Sequence, residues 1–177
     1  RQALQDEVPI IRQDMQSFLK VLLAMHQPKK ILEVGTAVGF SALLMADHTS
    51  EECQITTIEK YEKRIPAAKE NFKKAGRENR ITLLEGDALE IMKGLNEPYD
   101  MIFMDAAKGQ YIHFLPDALR LLRTGGVLVS DNVLQDGDII ESHYAVERRN
   151  RTIYKRMREY LYVLKHTDGL LTSIVPV

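Results

Sequence analysis

Helical segments alternate with short apolar segments along nearly the whole of this 177-residue chain. The spacing of apolar residues and the positions of Gly and Pro predict helices over 9–26, 39–48, 61–75, 87–95, 111–123 and 145–166. Short apolar or β-branched runs predict strands over 30–34, 54–58, 81–85, 99–105, 127–131 and 170–177. Strands separated by helices form parallel sheets that are covered on both faces. We therefore expect one α/β domain over residues 1–177, and we expect a final antiparallel edge strand to be missing.

The composition excludes several classes of protein. No apolar run approaches the roughly 18 residues of a membrane-spanning helix. Cys53 is the only cysteine, which excludes an internal disulfide and a Cys-rich zinc site and suits a reducing compartment. The formal net charge of −1 excludes attraction of the whole protein to nucleic acid but allows a local basic patch. We expect a cytoplasmic protein that is not bound to a membrane.

The turn after the first predicted strand carries an acid and two glycines. Glu33 lies two residues before Gly35, and Gly39 completes a G-x-x-x-G pattern. The middle glycine of dinucleotide-binding proteins is missing, which argues against a pyrophosphate ligand. The acid at Glu33 suits a ligand with a positive amino group, and Ser41, in the first turn of the next helix, suits a carboxylate. Glycines also punctuate ordinary turns, so this segment alone leaves a purely structural role open.

Two more acids follow the next two predicted strands. Glu59 ends the second strand, where an acid can accept hydrogen bonds from both hydroxyls of a ribose. Asp87 follows the third strand, where it can accept a hydrogen bond from an adenine amino group. Each acid alone also fits a solvated strand end or a helix N-cap. Ligands of open α/β sheets bind at the carboxyl ends of the strands, so these groups together predict S-adenosylmethionine (SAM) as a cofactor.

Oxygen ligands follow the fourth and fifth predicted strands. Asp105 ends the fourth strand, and Asp131 and Asn132 end the fifth. Two carboxylates and an amide favour Mg²⁺, or Mn²⁺ or Ca²⁺, over zinc. The two aspartates could each be loop caps, but side by side they would repel each other without a cation. Lys108 can reach the same ligand and is a candidate base, although a lone lysine is more often a solvated charge.

The last predicted helix is strongly basic, with seven Lys and Arg residues against two acids between 147 and 166. Four of the cations share one helical face: Arg148, Arg151, Lys155 and Arg158. Such a face is most often simply solvated. It also suits RNA phosphates, with Tyr144 or Tyr154 able to stack on an unpaired base.

Five segments resemble, in order, the motifs of the cation-dependent O-methyltransferases, the group that contains catechol and caffeoyl-CoA O-methyltransferases: ILEVGTAVGFSALLMA, TTIEKYEKR, LLEGDALE, YDMIFMDAAKGQY and GGVLVSDNVL. The resemblance covers nearly the whole chain and implies a Rossmann-like class I methyltransferase fold and a homodimer. It implies metal ligands at Asp105, Asp131 and Asn132, and it gives catalytic roles to Lys108 and Asp105. It implies cofactor contacts from Val8, Glu33, Gly35, Ser41, Glu59, Asp87, Ala88 and Asp105.

Within that group the chain looks most like the bacterial branch that methylates 5-hydroxyuridine at the tRNA wobble position, through DAAKGQY, DNVL and the closing SIVPV. This implies SAM as methyl donor, Mg²⁺ (or Mn²⁺ or Ca²⁺) as cofactor, the tRNA anticodon stem-loop as partner and 5-methoxyuridine as product. The alternative is a small-molecule O-methyltransferase acting on catechol-like vicinal diols, because both acceptors carry two adjacent oxygens. A third hypothesis, a non-enzymatic cofactor-binding protein, is disfavoured by the joint presence of the metal ligands and Lys108.

Overall fold

A computed structural model describes residues 11–134 and 151–176 of the chain. Its helices are α1 (Gln13–His26), α2 (Phe40–Asp47), α3 (Ile65–Lys74), α4 (Ala88–Gly94), α5 (Tyr111–Leu121) and α6 (Arg151–His166). Its strands are β1 (Lys30–Val34), β2 (Gln54–Glu59), β3 (Ile81–Glu85), β4 (Tyr99–Met104) and β5 (Leu122–Ser130). A short 3₁₀ helix directly before α5, Lys108–Gln110, is called the Lys108 turn below. The predicted alternation of helix and strand is therefore confirmed from residue 11 to residue 134.

The five strands form one parallel sheet in the order β3-β2-β1-β4-β5. The strand order reverses between β1 and β4, which opens a crevice at the carboxyl ends of the strands. Val34 pairs with Met104, and Met104 pairs with Ser130. The loops that begin at Gly35, Asp105 and Asp131 therefore leave the sheet at the same edge. The predicted Rossmann-like fold with helices on both faces is confirmed.

The sheet separates two hydrophobic clusters. One cluster lies between the sheet and the first three helices and includes Leu19 of α1, Met45 of α2 and Phe72 of α3. The other lies between the sheet and α4, α5 and α6, and includes Phe114 and Met157. The strands contribute side chains to both clusters, which explains why their sequences are apolar without alternation. None of the described helices has the length and apolar character needed to cross a membrane.

β5 begins five residues earlier than predicted, at Leu122. Leu122 pairs with Tyr99, but the next pair joins Val127 to Met101, so residues 123–126 bulge out of the ladder. Gly125 has a φ of 77°, which glycine adopts readily. The residues between the helix predicted over 111–123 and the strand predicted over 127–131 therefore form a bulge within the strand.

The strand predicted over 170–177 is wrong for the residues that the structure describes. Residues 170–176 form no strand, and Leu171 is fully exposed. A segment rich in β-branched residues forms a strand only when a neighbouring strand provides hydrogen-bond partners for its backbone N–H and C=O groups. This segment pairs with none of the five strands. It lies instead along the cavity that forms the candidate site.

Candidate active site

A cavity of about 1510 Å³ lies at the carboxyl ends of the strands. It is bounded by the loops after all five strands, by one side of α1 and by the segment 171–176. Most of the predicted site residues line it: Gly35, Glu59, Asp87, Ala88, Asp105, Lys108, Asp131 and Asn132. Glu33 and Ser41 are not part of its wall, and Val8 lies outside the described residues.

Gly35 allows the turn after β1 to pass close to the loop after β4. Its φ of 105° is avoided by residues with a side chain, and a Cβ atom there would lie 2.1 Å from the Asp105 carbonyl oxygen. The backbone amides of Gly35 and Thr36 both donate to the Ile58 carbonyl at 3.1 Å. The glycine therefore allows the loops after β1 and β4 to lie in direct contact.

The acids after β2 and β3 are held by different partners. The Glu59 carboxylate accepts hydrogen bonds from the backbone amides of Ala37 and Tyr61, both at 2.7 Å. Asp87 accepts a 3.0 Å bond from the Leu89 amide as the N-cap of α4, and it pairs with Lys60 at 2.8 Å. The hydrogen bond from Lys60 is the main cause that lowers the pKa of Asp87. Asp87 therefore presents a charged carboxylate at neutral pH.

Glu33 and Ser41 lie behind the cavity wall and bind each other. Glu33 is 0% exposed, and its carboxyl group accepts hydrogen bonds from the hydroxyls of Ser41 and Thr57. Thr57 also bonds to the Thr36 hydroxyl at 2.5 Å, in the turn that contains Gly35. Buried polar groups take hydrogen-bond partners from the core, and here Glu33 and Ser41 bond to each other. The predicted contacts of Glu33 with an ammonium group and of Ser41 with a carboxylate stay predictions. The pair supports the turn from behind.

We expect the Glu33 carboxyl to make folding stability depend on pH. Burial raises its pKa from 4.5 to about 8, although the bonds from Ser41 and Thr57 oppose the shift. The folded state thus holds the proton more tightly, and the stabilisation is lost as the pH rises from about 4.5 through 8. Glu33→Gln keeps the size of the side chain without titrating.

The comparison of these two proteins tests the buried acid. One pKa unit corresponds to about 1.4 kcal/mol, so the wild type is expected to lose a few kcal/mol more unfolding free energy than Glu33→Gln over that range. Urea unfolding at about pH 5 and about pH 8 measures the difference. Equal losses in the two proteins would contradict a protonated Glu33.

Asp105, Lys108 and Asp131 meet where β4 and β5 end. The Lys108 ammonium lies 3.2 Å from Asp105 Oδ1 and 3.1 Å from the Asp131 carbonyl oxygen, and the lysine side chain is only 19% exposed. Burial, followed by the charge of Asp105, raises the pKa of Asp131. Asn132 follows with a φ of 54°, which asparagine tolerates better than most residues. The structure thus brings the predicted oxygen ligands and the candidate base to one corner of the cavity.

The oxygen atoms at this corner fit a divalent cation. Two carboxylates and an amide form a hard ligand set that leaves positions for water or an acceptor. A cation would also remove the repulsion from Asp105 that contributes to the raised pKa of Asp131. Among residues 11–134 and 151–176, no group of three His, Cys, Asp or Glu side chains is placed to hold a metal ion. The predicted set therefore depends on Asn132 as its third protein ligand.

Tyr111 is a member of this corner that the sequence analysis missed. Its buried hydroxyl accepts a 3.1 Å bond from Lys108 and lies within donating distance of the carbonyl oxygens of Met104, at 2.9 Å, and Asp131, at 3.2 Å. Burial and then the Asp105 charge raise the pKa of Tyr111 well above its usual value, so the hydroxyl keeps its proton. Tyr111 lies three residues after Lys108, about one helical turn away. This spacing in the sequence indicates that the two side chains can meet.

The predicted stacking residue on the basic helix is not accessible. Tyr154 is buried, with the Arg158 guanidinium 5.3 Å from its ring centroid and hydrogen-bonded to its hydroxyl. Tyr154 is therefore unable to stack on a base, because it belongs to the buried face of an amphipathic helix. Tyr144 lies outside the described residues.

The exposed side of α6 retains part of the predicted basic face. Lys155 and Arg158 are exposed and Arg151 is partly buried, whereas Arg148 lies outside the described residues. The exposed aromatic residue of this helix is Tyr162, which is 64% exposed and stacks on His166 with ring centroids 4.1 Å apart.

Comparison with known sequences agrees with this geometry. The family model of the O-methyltransferases matches residues 3–174. The chain is 36% identical over 130 residues to a catechol O-methyltransferase of Niastella koreensis, an alignment that covers 71% of this chain and 59% of that protein. It is 34% identical over 124 residues to a catechol O-methyltransferase of Mycobacterium tuberculosis, covering 70% of this chain and 56% of that protein. The chain thus spans a little under three fifths of the length of these relatives.

Solved structures of similar fold include complexes with SAM and with S-adenosylhomocysteine (SAH). The O-methyltransferase of Bacillus cereus in complex with SAH superposes with a TM-score of 0.82 at 26% identity, over 93% of this chain and 76% of that one. TomG of Streptomyces achromogenes in complex with SAM has a TM-score of 0.82 at 25% identity, over 94% and 75% of the two chains. Since the family model also spans nearly every residue, the chain belongs to the O-methyltransferase family.

Proposed function

We propose that residues 1–177 form one methyltransferase domain that transfers a methyl group from SAM to an acceptor hydroxyl with the help of a divalent cation, preferably Mg²⁺. The observation that carries this proposal is the meeting of two strand-end aspartates and Lys108 in the cavity that also contains the Gly35 turn. The SAM and SAH bound to relatives of the same fold support it. The homodimer implied by the family resemblance stays a prediction, which sedimentation equilibrium tests.

The methyl donor is proposed to bind along the loops after β1, β2 and β3. Gly35 and Ala88 both line this part of the cavity, and neither carries a large side chain into it. Carboxylate oxygens have further lone pairs beyond those that bind the backbone, so Glu59 can also accept bonds from ribose hydroxyls. Asp87 is placed to accept a bond from the adenine amino group. Val8 stays a predicted contact.

The chemistry follows from the corner between β4 and β5. Asp105, Asp131 and Asn132 would hold the divalent cation, which when bound would lower the pKa of the acceptor hydroxyl and help to orient the acceptor. Lys108, held by Asp105 and Tyr111, is placed to take the hydroxyl proton after releasing one of its own. Attack of an oxygen anion on a sulfonium neutralises charge, so alignment supplies most of the acceleration, on the order of 7–11 kcal/mol.

A vicinal diol is the acceptor class that the catechol-named relatives favour. The test measures transfer of labelled methyl from SAM to catechol and to resorcinol, whose hydroxyl groups are not adjacent. We expect the labelled methyl group to be transferred to catechol and not to resorcinol. Transfer is expected to be lost in excess EDTA and to recover when Mg²⁺ is restored. Transfer that ignores the chelator, or equal transfer to both diols, would refute the metal-chelation mechanism.

The exposed side of α6 favours a second acceptor, 5-hydroxyuridine at the tRNA wobble position. Its 5-hydroxyl and C4 carbonyl also provide two adjacent oxygens. The α6 stripe, which we define as Arg151, Lys155, Arg158 and Tyr162, repeats at intervals of four, three and four residues along one face. It extends for roughly 16 Å at the helical rise and combines cations with an exposed aromatic ring. Such a surface suits phosphates and an unpaired base.

Charge reversal of the α6 stripe is the test of this second acceptor. In the double variant Lys155→Glu, Arg158→Glu we expect weaker binding of an anticodon stem-loop RNA and a slope of log Kd against log salt that is smaller by about 2. Lys20→Glu, on the exposed side of α1, removes a cation from the opposite face of the sheet as the control. Fluorescence anisotropy over a salt series measures both quantities. Unchanged affinity in the double variant would exclude the stripe as an RNA-binding surface.

A further inference from the structure

The Lys108 turn rests on α6. Arg156 Nη1 donates a hydrogen bond to the Gly109 carbonyl oxygen at 3.2 Å. A Cβ atom at Gly109 would lie 3.6 Å from Ile153 Cγ1 and 3.8 Å from Arg156 Nη1, so turn and helix are in van der Waals contact. One helical turn further on, the Tyr160 hydroxyl bonds to Ser130 Oγ at 2.6 Å. Ser130 is the last residue of β5 and directly precedes Asp131, so α6 contacts both the Lys108 turn and the end of β5.

Arg156 is placed differently from its neighbours on α6. Lys155 and Arg158 are exposed, whereas Arg156 is partly buried and reaches the turn. Within the described part of the chain, no carboxylate forms an ion pair with Arg156, and its bonding partner is a main-chain carbonyl. A hydrogen bond from a charged donor is stronger than one between neutral groups. The contact therefore joins the turn to α6 through a charged donor.

We propose that Arg156 is a positioning residue for methyl transfer, which keeps the Lys108 turn on α6 and thereby keeps the Lys108 ammonium between Asp105 and Asp131. The proposal rests on the proposed function of Lys108. Three acceptors fix the ammonium group itself, from Asp105, Tyr111 and Asp131.

The backbone beneath that ammonium group has little support of its own. The turn is three residues long, and the bond from the Gln110 amide to the Ala107 carbonyl, at 2.8 Å, closes it from within. Short 3₁₀ segments have weak internal hydrogen bonding, so an outside contact determines how often they open. A displacement of about 1 Å at a reacting group is enough to lower the rate.

Two substitutions separate this role from general packing. Arg156→Met keeps a long aliphatic stem against the turn and removes the donors. Lys165→Met removes an exposed cation from the last turn of the same helix and serves as the control. Both variants lose one positive charge, so a difference between them does not come from net charge.

Hydrogen exchange followed by mass spectrometry measures the turn directly, without any need for turnover. We expect exchange in a peptide covering 105–111 to become about tenfold faster in Arg156→Met and to stay unchanged in Lys165→Met. Exchange as slow as in the wild type would overturn the proposal. An increase spread over the whole sheet would overturn it as well, because it would mark a general structural role.

Kinetics then test whether Arg156 acts through Lys108. We expect Arg156→Met to lower kcat at least tenfold with little change in the KM for SAM, and to have no further effect when Lys108→Met is already present. Equal effects of Arg156→Met in both backgrounds would overturn the proposal. If the wild type transferred no methyl group to any acceptor, the proposed function would fail, whereas the exchange experiment would still decide whether Arg156 holds the turn.

Discussion

Replacing Asp131 with asparagine is expected to lower kcat for methyl transfer by about 10³-fold and to raise the Mg²⁺ concentration needed for half-maximal activity. Asp131 and Asp105 supply the two charges of the proposed metal site, and the substitution removes one charge with almost no change in size. A cation that activates a hydroxyl contributes several kcal/mol to the rate, and a factor of 10³ corresponds to about 4 kcal/mol. Transfer of labelled methyl over a Mg²⁺ titration measures both effects.

Asp117→Asn is the matched control for this experiment. Asp117 lies on α5, pairs with Arg120 and takes no part in the cavity wall. It therefore undergoes the same chemical change away from the site, and its activity and Mg²⁺ dependence are expected to match those of the wild type. Full activity with unaltered Mg²⁺ dependence in Asp131→Asn, or in a variant with both Asp105 and Asp131 changed to alanine, would remove the metal from the mechanism.

Gly35→Ala is expected to lower the free energy of unfolding by at least about 3 kcal/mol. Two effects lower the stability. An alanine is strained at a φ of 105°, and its methyl group would lie 2.1 Å from the Asp105 carbonyl oxygen. Backbone atoms on both sides of the switch point would have to separate, which moves Asp105 together with its carboxylate. We therefore expect the folded fraction of this variant to be impaired in methyl transfer as well. Urea unfolding and the methyl-transfer assay measure the two effects.

Gly76→Ala isolates the conformational part of that cost. Gly76 also has a positive φ, 64°, but no atom lies within 4 Å of the position a Cβ would take. Strain alone costs on the order of 1–2 kcal/mol there. A Gly35→Ala variant that loses no more stability than Gly76→Ala would show that the loops after β1 and β4 do not need their close approach.

The fold could be predicted because its signals are local. Residues 30–34 and 81–85 are strands with the predicted bounds, since an apolar run next to a glycine or a helix end leaves few alternatives. The segment 170–176 could not be predicted, because a strand requires a partner that its own sequence does not contain. The early start of β5 has the same cause, since the bulge at 123–126 is visible only in the pairing with β4.

The positions of the candidate site residues that directly follow a strand could be predicted from the sequence. Gly35, Asp105 and Asp131 line the cavity because parallel strands place their carboxyl ends together. The hydrogen bonding of Glu33 could not be predicted, because one of its partners is Thr57, 24 residues away along the chain, whose hydroxyl reaches Glu33 across the pair of strands. The burial of Tyr154 was not predicted, because the spacing of apolar residues along a helix does not show how far the buried side extends around it.

The sheet separates two hydrophobic clusters, so substitutions during evolution can change one cluster without changing the other. The Gly35 turn leads into α2, whose apolar side joins one cluster, and the Lys108 turn leads into α5, whose apolar side joins the other. Amino-acid drift in the packing of α5 and α6 is thus separated by the sheet from the packing of α2. A lineage can therefore vary the packing behind the Lys108 turn while the packing of α2, which follows the Gly35 turn, passes unchanged from ancestor to descendant.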